Sequence, residues 1–364
     1  GLAGLPQMAG AAAPSYPDKS RPIQVIVPFS AGGPTDIQAR IVTEFMGKRV
    51  VTWEPPPDET PAKSPPKKRA RRTTPTGVYR IESDAYGPAD AWLVKFKKFT
   101  ETPAAAKTTG LVLGAWPGIY ETGSGAKGAV GVVKALTAAR AKLPALRGIF
   151  LADVTYEEVE ISWIAQTNLA PLLRAYPKLE HLRVRGGNGL SLGPLRLPKL
   201  KSLVIESGGL PAAVVRQVGG ARLPALEHLE LWLGTKNYGG DSEPNDVKKL
   251  LAGKGFPKLR YLGLRDCEWV DALVPRVLDS PLLAKLHVLD LSLGVLTDTG
   301  AAMLLRSSAL EPLKKLKKLD LHHHYVSPWL IDRLKAQGYK LDVSGAQTPE
   351  VYEGEIYRHV AVSE

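Results

Sequence analysis

Through the second two-thirds of the chain, one phrase of apolar and polar positions recurs: a leucine, two variable residues, an aliphatic, one variable residue, then a third aliphatic. It stands at Leu146/Ile149/Leu151, Leu179/Leu182/Val184, Leu200/Leu203/Ile205 and Leu226/Leu229/Leu231, then at Leu259/Leu262/Leu264, Leu286/Leu289/Leu291 and Leu316/Leu319/Leu321. Successive middle residues lie 21 to 33 positions apart. The last two aliphatics alternate with variable residues, which is the period of a half-buried strand. In five copies a proline (Pro144, Pro177, Pro198, Pro224, Pro257) stands two residues before the first leucine and ends the preceding helix. Between the phrases the spacing predicts helices over 129–142, 162–176, 211–218, 246–251, 271–278, 300–305 and 328–335. Ser327 before Pro328 is a start signal for the last of them.

One such strand cannot bury itself. Copies stacked side by side make a parallel sheet whose inward residues form a continuous core. The expected fold class is therefore α/β: a leucine-rich-repeat solenoid over 111–344, with a parallel sheet on its concave face and helices on its convex face. The turn position three residues after the last aliphatic, usually Asn or Cys, is here Gly187, Gly208, Gly234, Cys267, Gly294 and His324. Glycine allows a tight turn but brings no side-chain hydrogen bond to it, so less regular turns are expected.

Before the array, Val78–Ile81 reads as a strand and residues 89–99 as a helix carrying Trp92, Leu93, Phe96 and Phe99, a small α/β cap over 77–110. Residues 46–76 form a Pro/Lys/Arg-rich span in which Pro55-Pro56-Pro57, Pro61 and Pro65-Pro66 leave little to bury, so a disordered linker is expected. Residues 1–45 begin small and apolar, like the end of a secretory signal, and continue as a β-α fragment with a strand at 23–27 and a helix at 35–45. Residues 345–364 read as a C-terminal tail or capping strand.

The formal net charge is +12, yet Lys63, Lys67, Lys68, Arg69, Arg71 and Arg72 supply six of the positive charges within ten residues. The basic balance thus belongs in good part to the linker and predicts no specific nucleic-acid partner. A solvated linker is the preferred reading of that run over a nuclear import signal. No apolar run approaches the ~20 residues that cross a bilayer, so no membrane partner is expected. The one cysteine, Cys267, excludes an intrachain disulfide and a cysteine metal cluster.

Two resemblances add to this. Val112-Leu113-Gly114-Ala115-Trp116, Glu160-Ile161-Ser162-Trp163-Ile164, 208–216, 223–235 with Tyr238-Gly239-Gly240, 319–325 and the terminal Val360-Ala361-Val362-Ser363-Glu364 resemble a bacterial cytoplasmic leucine-rich-repeat family over about 109–364. That resemblance implies the fold and a cytoplasmic location, and no catalytic activity. Residues 16–45, through 27–36 with Ala39-Arg40, resemble the start of a Bug-type solute receptor of tripartite tricarboxylate transporters. It implies a loop of Ser30, Ala31, Gly32, Gly33, Thr35 and Asp36 that helps hold a carboxylate on backbone amides at a helix start. Only some 30 residues match, while such receptors have two lobes. The change of resemblance at Met46 suggests that the repeat protein starts there and that residues 1–45 are appended.

Candidate chemistry centres on the concave columns, His181/Arg183/Arg185, Ser202/Val204/Glu206, His228/Glu230/Trp232, Tyr261/Gly263/Arg265, Val288/Asp290/Ser292 and Lys318/Asp320/His322. They read equally as a face whose charges pair sideways and as a recognition surface with aromatic anchors. The leading expectation is a non-enzymatic, monomeric protein-interaction module. It would bind a protein or peptide through Arg183, Arg185, Glu206, Glu230, Trp232, Tyr261, Arg265, Asp290, Asp320 and His322. Carboxylate binding by the N-terminal loop is one alternative, a metal-dependent enzyme at Asp320/His322 another. The run His322-His323-His324 cannot converge on one ion from an extended backbone. His322 should share the concave face with Asp320, His323 leave toward the rim, and His324 point into the turn. No catalytic residue, metal or cofactor is assigned; phosphate-loop, Gly-x-Ser-x-Gly and His-Glu-x-x-His patterns are missing. Cys267 should be a buried, inert thiol.

Overall fold

Each copy of the repeated phrase forms one strand of a single parallel sheet. The structure, a computed structural model, describes residues 44–55, 77–121 and 128–363. The seven copies are β6 (Gly148–Leu151), β7 (His181–Arg185), β8 (Ser202–Glu206), β9 (His228–Gly234), β10 (Tyr261–Cys267), β11 (Val288–Asp290) and β12 (Lys318–Asp320). Their middle aliphatics stand in register, Ile149 beside Leu182, Leu182 beside Leu203, and onward to Leu289 beside Leu319. β3 (Val51–Thr52), β4 (Val78–Ile81) and β5 (Gly110–Leu113) extend the sheet at one end and β13 (Leu341–Asp342) at the other, giving eleven strands in chain order. The sheet is continuous across residues 110 and 111. Its inward side chains, Leu182 to Leu319 among them, are buried in one core that runs the length of the stack, each worth about 1.5–3 kcal/mol.

The convex helices are shorter than the spacing predicts in several repeats. α1 (Ala91–Thr100) and α2 (Pro103–Lys107) precede α3 (Gly128–Ala138), α4 (Ala170–Ala175), α5 (Ala212–Gly219), α6 (Lys248–Leu251) and α7 (Val270–Leu278). Over 162–176 only the last six residues before Tyr176 are α-helical. Residues 165–168 are drawn into bridges with Asn188 and Ser191, and the Asn168 side chain takes the amide of Ala170 at 2.9 Å, starting the helix there. α8 (Asp298–Met303) is followed by α9 (Ser307–Lys315), which the apolar spacing did not reveal; its lysines and internal Pro312 hid it. α10 (Pro328–Lys335) has the predicted bounds. Ser327 precedes it but makes no cap bond; its hydroxyl donates to Asp298 Oδ2 at 2.7 Å, tying one repeat to the next. Asp271 makes the same kind of tie to the amide of Thr297 at 2.9 Å.

Both ends carry additions that fold onto the sheet. β1 (Glu44–Phe45) and β2 (Lys48–Arg49) form a hairpin whose turn residues Met46 and Gly47 both take positive φ, as a tight two-residue turn requires. Met46 and Val50 pack on the outward side chains of Val78, Val112 and Phe150. Trp53 meets Phe99 edge-on at 5.4 Å. The stretch 46–53, expected as linker, is thus part of the fold: its prolines begin only at Pro55, and ahead of them stand residues with something to bury. Beyond β13 comes an exposed hairpin of β14 (Glu350–Tyr352) and β15 (Glu355–Tyr357), after which residues 360–362 are buried again. The receptor-like span as far as residue 43 and most of the basic linker lie outside the described residues; residues 44 and 45, expected to end a helix, form β1 because they pair with β2.

Candidate functional site

The outward side chains of β7 to β13 line up in columns because neighbouring strands are in strict register. Opposite charges fall on adjacent strands, and they pair. Glu206 accepts from Arg183 Nε at 2.6 Å on one oxygen and from Arg185 Nε at 2.7 Å on the other. Arg185 also donates to the Val154 carbonyl, and the Arg183 guanidinium lies 4.8 Å over the Phe150 ring. On the next strand, Glu230 Oε1 accepts from Arg265 Nη1 at 2.8 Å and Trp232 Nε1 at 2.7 Å. Arg265 Nε lies 3.3 Å from Asp290 Oδ2 and donates to Ser292 Oγ at 3.0 Å. The Tyr261 hydroxyl donates to Asp290 at 2.6 Å, and its ring is stacked on His228 at 3.9 Å.

This network holds its charges in fixed states. Burial by itself would push the Glu206 and Glu230 carboxyls up, but Arg183 and Arg185, and Arg265, hold them below the usual carboxylate range. Burial, then the carboxylates of Glu230 and Asp290, push the Tyr261 hydroxyl up, so it serves as a hydrogen-bond donor at neutral pH. Asp290 is pushed up by burial and by neighbouring Asp320 and Glu230, against the pull of Arg265. The carboxylates of this face are committed to fixed cations or hydroxyls, an arrangement suited to presenting a rigid charge pattern.

At the far strands, Lys318 Nζ bridges Asp320 (2.7 Å) and Asp342 (2.9 Å), while His322 Nδ1 sits 2.7 Å from Asp320. Against burial, the bond from His322 brings the Asp320 carboxyl down to about 2. Donor atoms of Asp320, His322 and Asp342 lie within 4.8 Å of one another, a spacing a metal could use. The Lys318 ammonium already lies between the two carboxylates and supplies the positive charge there.

The three histidines diverge. His322 takes the concave position and His324 the turn: its Nδ1 accepts from the Val326 amide at 3.1 Å and its Nε2 bonds the Val343 carbonyl at 3.1 Å. That is the work of the usual turn asparagine. Cys267, fully buried at the equivalent place, accepts a backbone bond from Trp269, and burial pushes its thiol well up. His323 turns to the rim. It is buried, with φ +57°, because the C-terminal segment covers the rim and its Nε2 donates to the His359 carbonyl at 3.1 Å.

Of the ten residues expected to meet a partner, Arg183, Tyr261, Arg265 and His322 are half-buried and reach the surface. Arg185, Glu206, Glu230, Asp290 and Asp320 lie beneath them as the layer that sets their positions. Trp232 is 3% exposed, covered by Ala361 and Val362. His228 and Lys318, column residues left out of that set, are half-buried and belong to the presented face. Their place in the columns was the available signal. Ser30, Ala31, Gly32, Gly33, Thr35 and Asp36 lie outside the described residues.

No family model matches the chain, nor does any curated protein. A crystal structure of a Bacteroides fragilis protein is 33% identical, covering 74% of this chain and 72% of its own, with a TM-score of 0.65. This chain belongs to the same family as that Bacteroides protein. A leucine-rich-repeat protein of Leptospira interrogans matches 68% of this chain and 50% of its own at 17% identity and a TM-score of 0.32. Among the described residues no helix of this family member is long and apolar enough to cross a membrane.

Proposed function

We propose that the chain is a non-enzymatic interaction module that binds a protein or peptide on its concave sheet. The observation carrying this reading is the strip of Arg183, His228, Tyr261, Arg265, Lys318 and His322 held by a buried layer of carboxylates. Its side chains are fixed before any partner arrives: the His228–Tyr261 stack is held by Asp290 and Glu230, and Arg183 by Glu206. Groups ordered in advance lose little side-chain entropy on binding, and Tyr and Arg are residue types that dominate interface energetics. The partner best matched to the strip carries a carboxylate for Arg183, which shares Glu206 with Arg185, and an apolar edge for the Tyr261 ring.

The test is affinity capture with the full chain and with a His228→Ala/Tyr261→Ala variant of unchanged circular dichroism. A partner retained by the wild type should be lost, or weakened at least about tenfold, in the variant, as expected for removal of a central aromatic anchor. Identical partner sets with equal affinity would refute the assignment of this face.

A further inference from the structure

The rim of the solenoid, where the strands end, holds a second surface with an occupant already in it. After the β14–β15 hairpin, the C-terminal segment turns back and crosses the ends of β12, β11 and β10 in that order. His323 Nε2 and the Tyr325 hydroxyl both donate to the His359 carbonyl, at 3.1 and 3.0 Å. The Ala361 amide donates to the Leu293 carbonyl at 2.8 Å, and the Val362 amide to Asp266 Oδ1 at 2.9 Å. Farther on, the Ser363 carbonyl sits so close to Gly208 that a Cβ there would collide with it. Ala361 and Val362 are buried against Ile161, Trp232 and Leu293, a small cluster separate from the main core.

Three features mark this as a recognition groove. First, its contacts to the segment are largely to backbone amides and carbonyls, in the manner by which extended peptides are bound. Second, the corners that hold the segment, Asp266, Leu293 and His323, are non-glycine residues at φ +54°, +68° and +57°, while the matching corner of β7 is Gly186. Left-handed backbone is disfavoured for a leucine, and such strain persists where the surroundings impose it, often at binding sites. Third, Asp266 is wholly buried, aims one carboxyl oxygen at the peptide amide and leaves the other without a hydrogen-bond partner. The hairpin that tethers the segment is itself exposed, with Val351, Tyr352, Ile356 and Tyr357 between 44% and 71% accessible.

We propose that this groove over Trp232 is a peptide-docking site separate from the concave strip, occupied in cis by the chain's own C-terminal segment. In trans it accepts an extended peptide with two consecutive small apolar residues whose amides meet the Leu293 carbonyl and the Asp266 carboxyl. The tether gives the native segment a high local concentration and makes it a built-in competitor.

The test keeps the whole chain. A protease site is inserted in the hairpin turn between Glu353 and Gly354, where Gly354 faces open space, and the folded protein is cleaved there. A fluorescent peptide of residues 354–364 is then added and its anisotropy followed. Saturable binding to the cleaved protein is expected, at least about tenfold weaker binding to the intact protein, and loss of binding for a peptide carrying Val362→Lys. The proposal is overturned if the cleaved protein fails to bind the peptide or unfolds by circular dichroism. It is equally overturned if the Val362→Lys peptide binds as well, or if the intact protein binds as tightly as the cleaved one. These outcomes are independent of the His228/Tyr261 experiment, so either reading can fail alone.

Discussion

Replacing Arg265 by alanine removes the cation on which the centre of the concave network depends. The guanidinium is 2.8 Å from Glu230 and 3.3 Å from Asp290 and lies 5.3 Å over the Trp232 ring, with 14% of the side chain exposed. At 2.8 Å and an effective dielectric near 20, the Arg265–Glu230 attraction is about 6 kcal/mol before desolvation is subtracted. Breaking a buried pair from one side costs about 3–5 kcal/mol because the remaining charge is uncompensated, and the lost contact with the indole adds to that. Urea unfolding at pH 7 should therefore show Arg265→Ala less stable than wild type by about 3–5 kcal/mol. The pH dependence carries a second check. In the wild type the Glu230 carboxyl lies below its unfolded value, so its stabilisation is present above the ordinary carboxylate range and is lost as pH falls through the depressed folded value. Without Arg265, burial pushes Glu230 up, and protonation relieves the variant before it affects the wild type. The stability gap should narrow between pH 7 and pH 5. The triple change Arg265→Met/Glu230→Gln/Asp290→Asn should recover most of the loss. A deficit under about 1 kcal/mol at pH 7, or a gap that widens on acidification, would refute this account of the network.

Three further outcomes follow from the same structure. His324 is buried and its pKa is lowered by that burial, so the folded state favours neutral imidazole. Its contribution is complete above the unfolded histidine value near 6.5 and lost as pH falls toward the folded one; His324→Asn should flatten that acid loss in thermal melts while His324→Ala destabilises at pH 7 by about 1–3 kcal/mol. Leu231→Ala, in the middle of the stack and fully buried, should cost about 2–5 kcal/mol in denaturant titration; a smaller cost would mean that the repeats relax around the cavity. Cys267, buried with its thiol pushed up, should react with a thiol reagent only on the time scale of unfolding; immediate labelling of the native protein would contradict its placement in the turn.

How much of this could be read along the chain depends on the range of the interaction. The leucine phrase is local, and its seven copies place the strands because an alternating strand buries every second residue wherever it is stacked. The charge columns were legible for the same reason: once the register of the leucines is known, Arg185 must stand beside Glu206 and Gly263 beside Asp290. The turn role of His324 was legible from its offset alone. Helix lengths were not, since Asn188 and Ser191 of a neighbouring loop draw residues 165–168 out of the helical period.

The two additions that flank the repeats belong to tertiary structure alone. Nothing local joins Val362 to Asp266, 96 residues away, or Met46 to Phe150. Such contacts form because the finished solenoid leaves apolar outward residues, Val112 and Phe150 at one end and Trp232 and Leu293 at the rim, that a flanking segment of the chain can cover. Periodicity tells which residues a strand turns outward; only the assembled stack decides whether water or another part of the chain meets them. Trp232 therefore read as an open anchor from its column and became, in the fold, the floor of a groove.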